Sequence, residues 1–185
     1  LLDHGAGVNQ ATNTGWAPLL FAAKHVHAEL AQLLLDHGAA VNQAAEDGCT
    51  PLSIAAEQGH AVVAQLLLDH GANVNQAKYD GCTPLYSAAR RGHAAVVQLL
   101  LATPGIRVNQ TKKDGETPLY ITAFYGHAEV AHLLLAADSI QVNQAGVGGW
   151  SPLLIAAQEG HAAVARLLLE RGANVNQAAV DEWTP

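Results

Sequence analysis

The chain has 185 residues, of which 50% are hydrophobic and only 14% are charged, with a formal net charge of −7 at pH 7. This is enough apolar sequence to bury a core. The acidic balance excludes a typical nucleic-acid binder, which carries a basic excess, and no apolar run approaches the roughly 18 residues that a membrane span needs.

Proline recurs along the chain at a nearly constant interval of 33 or 34 residues. The positions are Pro18, Pro51, Pro84, Pro118, Pro152 and Pro185. Asparagines, Leu-Leu-Leu triplets and Gly-His pairs keep the same step, which is typical of a repeat protein. We therefore predict one domain, 1–185, with five full repeats and a partial unit at each end. The full repeats are about 9–41, 42–74, 75–108, 109–142 and 143–175, and the partial units are 1–8 and 176–185. Since both ends fall inside a repeat, we expect the chain to be a fragment of a longer array or protein.

Each repeat predicts a helix, a turn, a second helix and an extended loop. In the second repeat, Thr50 is a natural N-cap and Pro51 a natural first helical residue. Gly59 ends the first helix in the left-handed conformation that glycine adopts easily, and Gly71 ends the second. A polar, finger-like loop follows over 74–81. Helices of about eight or nine residues are unstable alone, so the repeats must stack on one another.

This pattern resembles the ankyrin repeat family. The family motif Gly-x-Thr-Pro-Leu-x-x-Ala-Ala-x-x-Gly-His is matched by 48–60, by 81–93, by 115–127 with Thr122 at the first Ala, and by 149–161 with Ser151 in place of Thr. The resemblance implies an all-α ankyrin-repeat solenoid of stacked helix-turn-helix units with hairpin-like finger loops. It also implies a protein-protein interaction module that binds a partner on the concave face and the fingers.

Two departures from the family motif stand out. The usual His after Pro-Leu is replaced in every repeat, by Leu20, Ser53, Tyr86, Tyr120 and Leu154. The first full repeat also has Ala17 in place of Thr and Val26 in place of Gly. A β-branched residue in the left-handed conformation is strained by about 1–2 kcal/mol. We therefore expect this repeat to be the weakest complete one, or its turn to be rebuilt.

The histidines and cysteines predict neither a metal site nor a catalytic site. Five of the ten histidines share one repeat position, and equivalent positions in stacked units lie about 10 Å apart, whereas zinc ligands lie about 2 Å from one ion. The pairs Asp36-His37 and Asp69-His70 lack a nucleophile at a defined spacing. Cys49 and Cys82 lie one repeat apart, so the expected distance between their Cα atoms is about 10 Å, which exceeds the roughly 7 Å limit for a disulfide. We predict no cofactor, no metal and no enzyme activity, with structural histidines and reduced thiols in an intracellular, cytoplasmic setting.

Candidate binding residues are those that vary between repeats, because the repeated positions serve the fold. All three tryptophans lie two residues before a proline, and aromatic side chains are frequent interface anchors. Six of the nine basic residues lie in the third and fourth repeats, which favours an acidic or phosphorylated segment of the partner. The predicted partner-binding residues are Trp16, Lys24, His25, Tyr79, Arg90, Arg91, Lys113, Glu116, Phe124, Tyr125, Trp150 and Trp183.

Three alternatives stay open at this stage. Finger aromatics can pack on neighbouring fingers, and the basic residues can form an ordinary solvated face. The chain can also be a positioning or scaffold segment of a larger multidomain protein whose catalytic part lies outside it, or a spacer without a partner.

Overall fold

The computed structural model describes residues 7–179 and 184–185. Over these residues the chain forms ten α-helices and no β-strand, which confirms the predicted all-α class. The helices are α1 (Pro18–Lys24), α2 (Ala28–Asp36), α3 (Pro51–Gln58), α4 (Ala61–Asp69), α5 (Pro84–Arg91), α6 (Ala94–Leu101), α7 (Pro118–Tyr125), α8 (Ala128–Leu135), α9 (Pro152–Gln158) and α10 (Ala162–Glu170). They form five pairs, α1–α2 to α9–α10, and none of these helices is long and apolar enough to cross a membrane.

Each pair begins as the sequence predicts. The side chains of Thr50, Thr83, Thr117 and Ser151 each accept a hydrogen bond from the backbone N–H three residues later. Proline occupies the first helical position, where its missing N–H is not needed. Ala17 has the same extended backbone but no side chain that can cap α1.

The helix pairs stack in two layers. The first helices, α1, α3, α5, α7 and α9, contact one another in series, and the second helices, α2 to α10, do the same. Completely buried alanines such as Ala55, Ala88 and Ala123 lie where the helices approach closely. Leucines such as Leu67 and Leu100 fill the space between the layers, so that one continuous core runs through all five pairs.

Histidines of the Gly-His pairs join consecutive helix pairs. A ring nitrogen of each histidine contacts a backbone carbonyl at the end of the preceding first helix at 3.0–3.2 Å. The four contacts are His60 to Lys24, His93 to Glu57, His127 to Arg90 and His161 to Phe124. The predicted structural role of these four histidines is confirmed, and they hold the repeats together although the histidine after Pro-Leu is missing.

Periodic asparagines form a second link between the pairs. The side chain of Asn75 donates to the carbonyl of Gly105 at 2.8 Å and accepts from the N–H of Arg107 at 2.8 Å. Asn9, Asn42 and Asn109 make the same two-way contact with the loop of the next unit. One side chain therefore satisfies two backbone groups that no helix serves.

Some sequence predictions lie outside the described residues. Trp183 is among residues 180–183, and residues 1–6 belong to the partial unit predicted at the other end.

Candidate protein-binding surface

The finger loops touch one another through their backbones. The N–H of Tyr79 donates to the carbonyl of Asp47 at 3.1 Å, and the N–H of Lys113 donates to the carbonyl of Asp80 at 3.0 Å. Gly48 and Gly81 lie so close to the next finger that a Cβ there would meet its backbone at 2.9 and 2.7 Å. This contact fixes the finger tips, while the side chain of Tyr79 stays 66% exposed and that of Lys113 also faces solvent.

The fingers lie beside the C-terminal ends of the first helices. Lys78 in a finger, for example, contacts Glu57 near the end of α3 at 2.9 Å. We call the side formed by the fingers and these helix ends the finger–helix surface.

The position two residues before each proline is more closely packed than its variability suggested. Cys49 and Cys82 are buried there, and Trp16 and Trp150 are half-buried against the core. Glu116, at the same position, is half-buried and bonded internally. The premise that packing does not dictate this position is therefore wrong, because helix ends and neighbouring fingers cover its side chains.

The two thiols are poor candidates for chemistry. Burial, followed by the neighbouring Asp47 carboxylate, raises the pKa of Cys49 to about 12, and burial and Asp80 do the same for the pKa of Cys82. The Sγ of Cys49 donates to the Asp47 carboxylate at 3.0 Å. A thiol held in its protonated form is a weak nucleophile. Both cysteines are free of disulfides.

An aromatic cluster lies at the end of α1. The rings of Trp16 and Phe21 are 5.1 Å apart, and the Nζ of Lys24 lies 5.3 Å from the tryptophan ring centre. Phe21 is 43% exposed, although the sequence analysis did not single it out. His25, the residue after α1, is exposed and lies 6.0 Å from the His27 ring. The cluster forms an exposed aromatic surface with a cation over the tryptophan ring.

The predicted basic centre is partly neutralised by carboxylates. Glu57, in the second repeat, contacts Lys78 at 2.9 Å and Arg91 at 3.1 Å, both in the third repeat, so that the three side chains link two consecutive repeats. Burial raises the pKa of Glu57, but the two cations lower it by more, so that the net shift is downward. Lys112 is likewise engaged, with Asp114 at 2.5 Å and Glu116 at 3.3 Å. Three of the six clustered cations thus already have partners.

Glu116 serves this internal network rather than solvent. Its carboxylate accepts a hydrogen bond of 2.5 Å from the hydroxyl of Tyr86. Burial, together with Glu116, raises the pKa of that hydroxyl. The contact ties α5 to the next finger, so Glu116 supports the surface from within.

A second aromatic cluster lies at the end of α7. Phe124 is 37% and Tyr125 45% exposed, with ring centres 5.0 Å apart in an edge-on arrangement. Tyr125 also stacks on His127 at 6.0 Å and lies beside Arg90, whose carbonyl His127 contacts. The structure therefore brings Arg90, Phe124 and Tyr125 together on the finger–helix surface, with Arg91 next to them at the end of α5.

Trp150 lines an apolar cavity of about 580 Å³ at the far end of the same surface. Leu154, Ala157 and Gln158 of α9 form one wall, and Thr184 lies at its edge. Among the described residues, no group of three or more His, Cys, Asp or Glu side chains is arranged to hold a metal ion.

Sequence reasoning missed Glu57, Phe21 and the periodic asparagines. The sequence shows that the asparagines recur at a constant spacing, but their hydrogen bonds to the next repeat are visible only in the structure. Glu57 and Phe21 lie in variable positions, so a comparison of the repeats position by position is the signal that points to both.

Comparison with known proteins supports the same fold. A family model of ankyrin repeats in three copies matches residues 39–112 and 104–179, and a model of many copies matches residues 1–55. No curated protein matches the chain. Repeats of this kind are generally protein-protein interaction modules and typically non-catalytic. Because the matched segments cover nearly the whole sequence, the chain belongs to the ankyrin repeat family.

Proposed function

We propose that this chain binds an acidic segment of a partner protein on the finger–helix surface, centred on Arg90, Arg91, Phe124 and Tyr125. The observation that carries the proposal is the pair of exposed aromatic rings beside a cation at the junction of α5 and α7. Large exposed aromatic groups rimmed by polar residues are typical of interaction sites.

Two flanking features extend the proposed site. The aromatic cluster of Trp16 and Phe21, with Lys24 and His25, lies toward α1, and the Trp150 cavity lies toward α9. A series of such positions spaced about 10 Å apart suits an extended or broad partner surface. Tyr79 and Lys113 supply exposed side chains from the fingers between them.

An acidic partner segment fits the charge that remains after internal pairing. Lys78 and Lys112 are engaged by carboxylates, whereas Arg90 and Lys113 enter no ion pair among the described residues. Arg91 keeps half of its side chain exposed despite its contact with Glu57. A phosphorylated segment would use the same cations. The proposed setting is intracellular, in the cytoplasm, where unpaired thiols stay reduced.

The test is a binding measurement with partner protein isolated on the intact chain and then purified. We expect Phe124→Ala with Tyr125→Ala to weaken binding by about 1–3 kcal/mol. Leu169→Ala is the matched control, since Leu169 is exposed on α10, away from the proposed site. Thermal melting of each variant separates lost binding from lost folding. Full affinity in the double variant would reject the site.

The acidic character of the segment is tested separately with Arg90→Gln. We expect weaker binding and a shallower salt dependence, because exposed charge pairs are screened by salt. Arg107→Gln removes the same charge outside the proposed site and is the control. A salt dependence equal in both variants and the wild type would reject the acidic partner while leaving the site itself in place.

A further inference from the structure

The second helices carry an open groove that the proposed function does not use. It lies between α2 and α4 and has a volume of about 530 Å³. Its lining includes Ala28, Glu29, Gln32, Val62, Leu66 and Asp69. A smaller groove of about 370 Å³ between α4 and α6 shares Val62 with it, so that the apolar surface continues across α4.

Val62 is the most exposed large apolar residue of this region, with 70% of its surface accessible. Its exposure does not result from a missing neighbour, because α2 and α6 flank α4 on both sides. The same helix position holds Glu29, Ala95, Glu129 and Ala163 in the other pairs. The fold therefore does not require a valine here, and its side chain joins the apolar linings of the two adjacent grooves.

The charge around this groove is negative. Helices α2 and α4 carry Glu29, Asp36 and Asp69 and contain no Lys or Arg. Among the described residues none of these three carboxylates enters an ion pair. Gln32 and Gln65 donate to Asp36 and Asp69 at 2.7 Å, which fixes two of the carboxylates while leaving their charge unbalanced.

The negative charge belongs to the second helices of these two pairs. Of the six Asp or Glu in residues 9–74, Glu29, Asp36 and Asp69 lie on α2 and α4, whereas the other three lie in a finger or at the end of α3. The corresponding groove between α6 and α8 is smaller, about 300 Å³, and is lined by uncharged residues such as Gln98, Leu133 and Ala136. Apolar surface and carboxylates thus coincide at the α2–α4 groove and not at the α6–α8 groove.

We propose that the α2–α4 groove binds a short amphipathic helix of a partner protein, with Lys or Arg on both sides of its apolar face. The two nine-residue helices are about 13 Å long at a rise of about 1.5 Å per residue, which matches two to three turns of a third helix. Helix-in-groove binding uses apolar anchors at i, i+3 or i+4 and i+7. The cations of the partner helix would balance Glu29 and Asp69.

Charge favours this occupant over a second copy of the chain. The α2–α4 face of another copy would bring the same carboxylates to the groove, and like charges in contact repel. The partner helix is also distinct from the acidic segment proposed for the finger–helix surface. The molecule would then bind segments of opposite charge in its two helix layers.

The experiment uses a display library of peptides about 15 residues long, a length at which isolated helices begin to form. Leu or Ala is fixed at i, i+3, i+4 and i+7, and the flanking positions vary among Lys, Glu and Ser. The full chain is compared with its Val62→Glu variant, which the fold tolerates because Glu29 and Glu129 occupy the same position. Ala163→Glu on α10 is the matched control, since it adds the same charge at the same position of another helix.

We expect the peptides selected by the wild-type chain to be rich in Lys beside the apolar face. Val62→Glu should lower the affinity for the best peptide by at least about tenfold, and Ala163→Glu should leave that affinity unchanged. Peptide binding should perturb the NMR signals of α2 and α4 and should persist in the Phe124→Ala, Tyr125→Ala variant, so that its outcome is independent of the proposed function. Selection of peptides without a Lys excess, equal affinity in both Glu variants, or perturbation confined to the fingers would overturn the proposal.

Discussion

The turn that joins α1 to α2 and the turn that joins α5 to α6 have similar backbones but different residues at their centres. Val26 and Gly92 both adopt the left-handed conformation, with φ of +62° and +75°. In both turns the N–H two residues later donates to the central carbonyl, at 2.9 and 3.0 Å. The turn at Val26 is therefore not rebuilt, and the valine accepts a conformation that costs about 1–2 kcal/mol for a residue with a Cβ.

The two turns differ in what the next repeat demands of them. A Cβ added at Gly92 would lie 2.8 Å from the ring of His127, and one added at Gly59 would lie 2.6 Å from the ring of His93. Gly92 thus satisfies both a backbone conformation and a close contact with the following repeat. At Val26 the contact is tolerated, since His60 still reaches the carbonyl of Lys24 at 3.2 Å.

The largest loss of stability should come from placing a Cβ at Gly92, where a left-handed backbone and a close contact with His127 both favour glycine. We expect Gly92→Ala to lower the free energy of unfolding by about 2–4 kcal/mol, the sum of left-handed strain and overpacking against His127. Urea denaturation monitored by circular dichroism measures it.

Gly160→Ala is the matched control for this prediction. Gly160 occupies the same turn position with φ of +74°, but no described atom lies within 4 Å of a Cβ there. We expect it to show the strain alone, about 1–2 kcal/mol. Equal losses in the two variants would mean that the histidine contact does not contribute.

Removing the ring from the other side tests the same contact. His127→Ala deletes the hydrogen bond to the Arg90 carbonyl and the packing on Gly92, so we expect a loss of about 1–2 kcal/mol. His132→Ala, exposed on α8 in the same pair, should change stability by less than about 0.5 kcal/mol. A loss at His132 as large as at His127 would contradict a specific role for the Gly-His row.

The comparison also shows which features sequence reasoning can reach. The constant spacing of the repeats, the N-cap at Thr50 and the glycine turns predicted the helices. The cap and the turns could be predicted because each depends on residues within one repeat. The pairing of His127 with Gly92 joins positions 35 residues apart, so no local pattern reveals it. For the candidate site, Phe124 and Tyr125 were identified by their variation between repeats. The partners of Arg91 and Glu116 were not, because ion pairs between repeats depend on the relative placement of side chains.

The missing cap of α1 gives a smaller effect in the same pair. Ala17 has φ of −85° and ψ of 162°, close to the −79° and 160° of Ser151, so a serine can adopt the capping geometry without rearrangement. We expect Ala17→Ser to raise the free energy of unfolding by about 0.5–1 kcal/mol. Thermal melting measures the gain, and slower amide exchange at Leu20 locates it. Ala17→Val, which offers no acceptor, should give no gain; an equal gain would rule out capping as its cause.

An effect of the same small size as that of Ala17→Ser is expected where the strain itself is relieved. Val26→Gly removes about 1–2 kcal/mol of left-handed strain, but glycine also makes the unfolded chain more flexible, which offsets about 0.4–1 kcal/mol. The net stabilisation should therefore be about 0.5–1 kcal/mol, concentrated in α1 and α2, and native-state hydrogen exchange of those helices measures it. Val26→Ala keeps the Cβ and should gain less than Val26→Gly. An unchanged or lower stability of Val26→Gly would show that packing of the valine side chain offsets its strain, and the missing cap at Ala17 would then be the one remaining reason to expect a weak first pair.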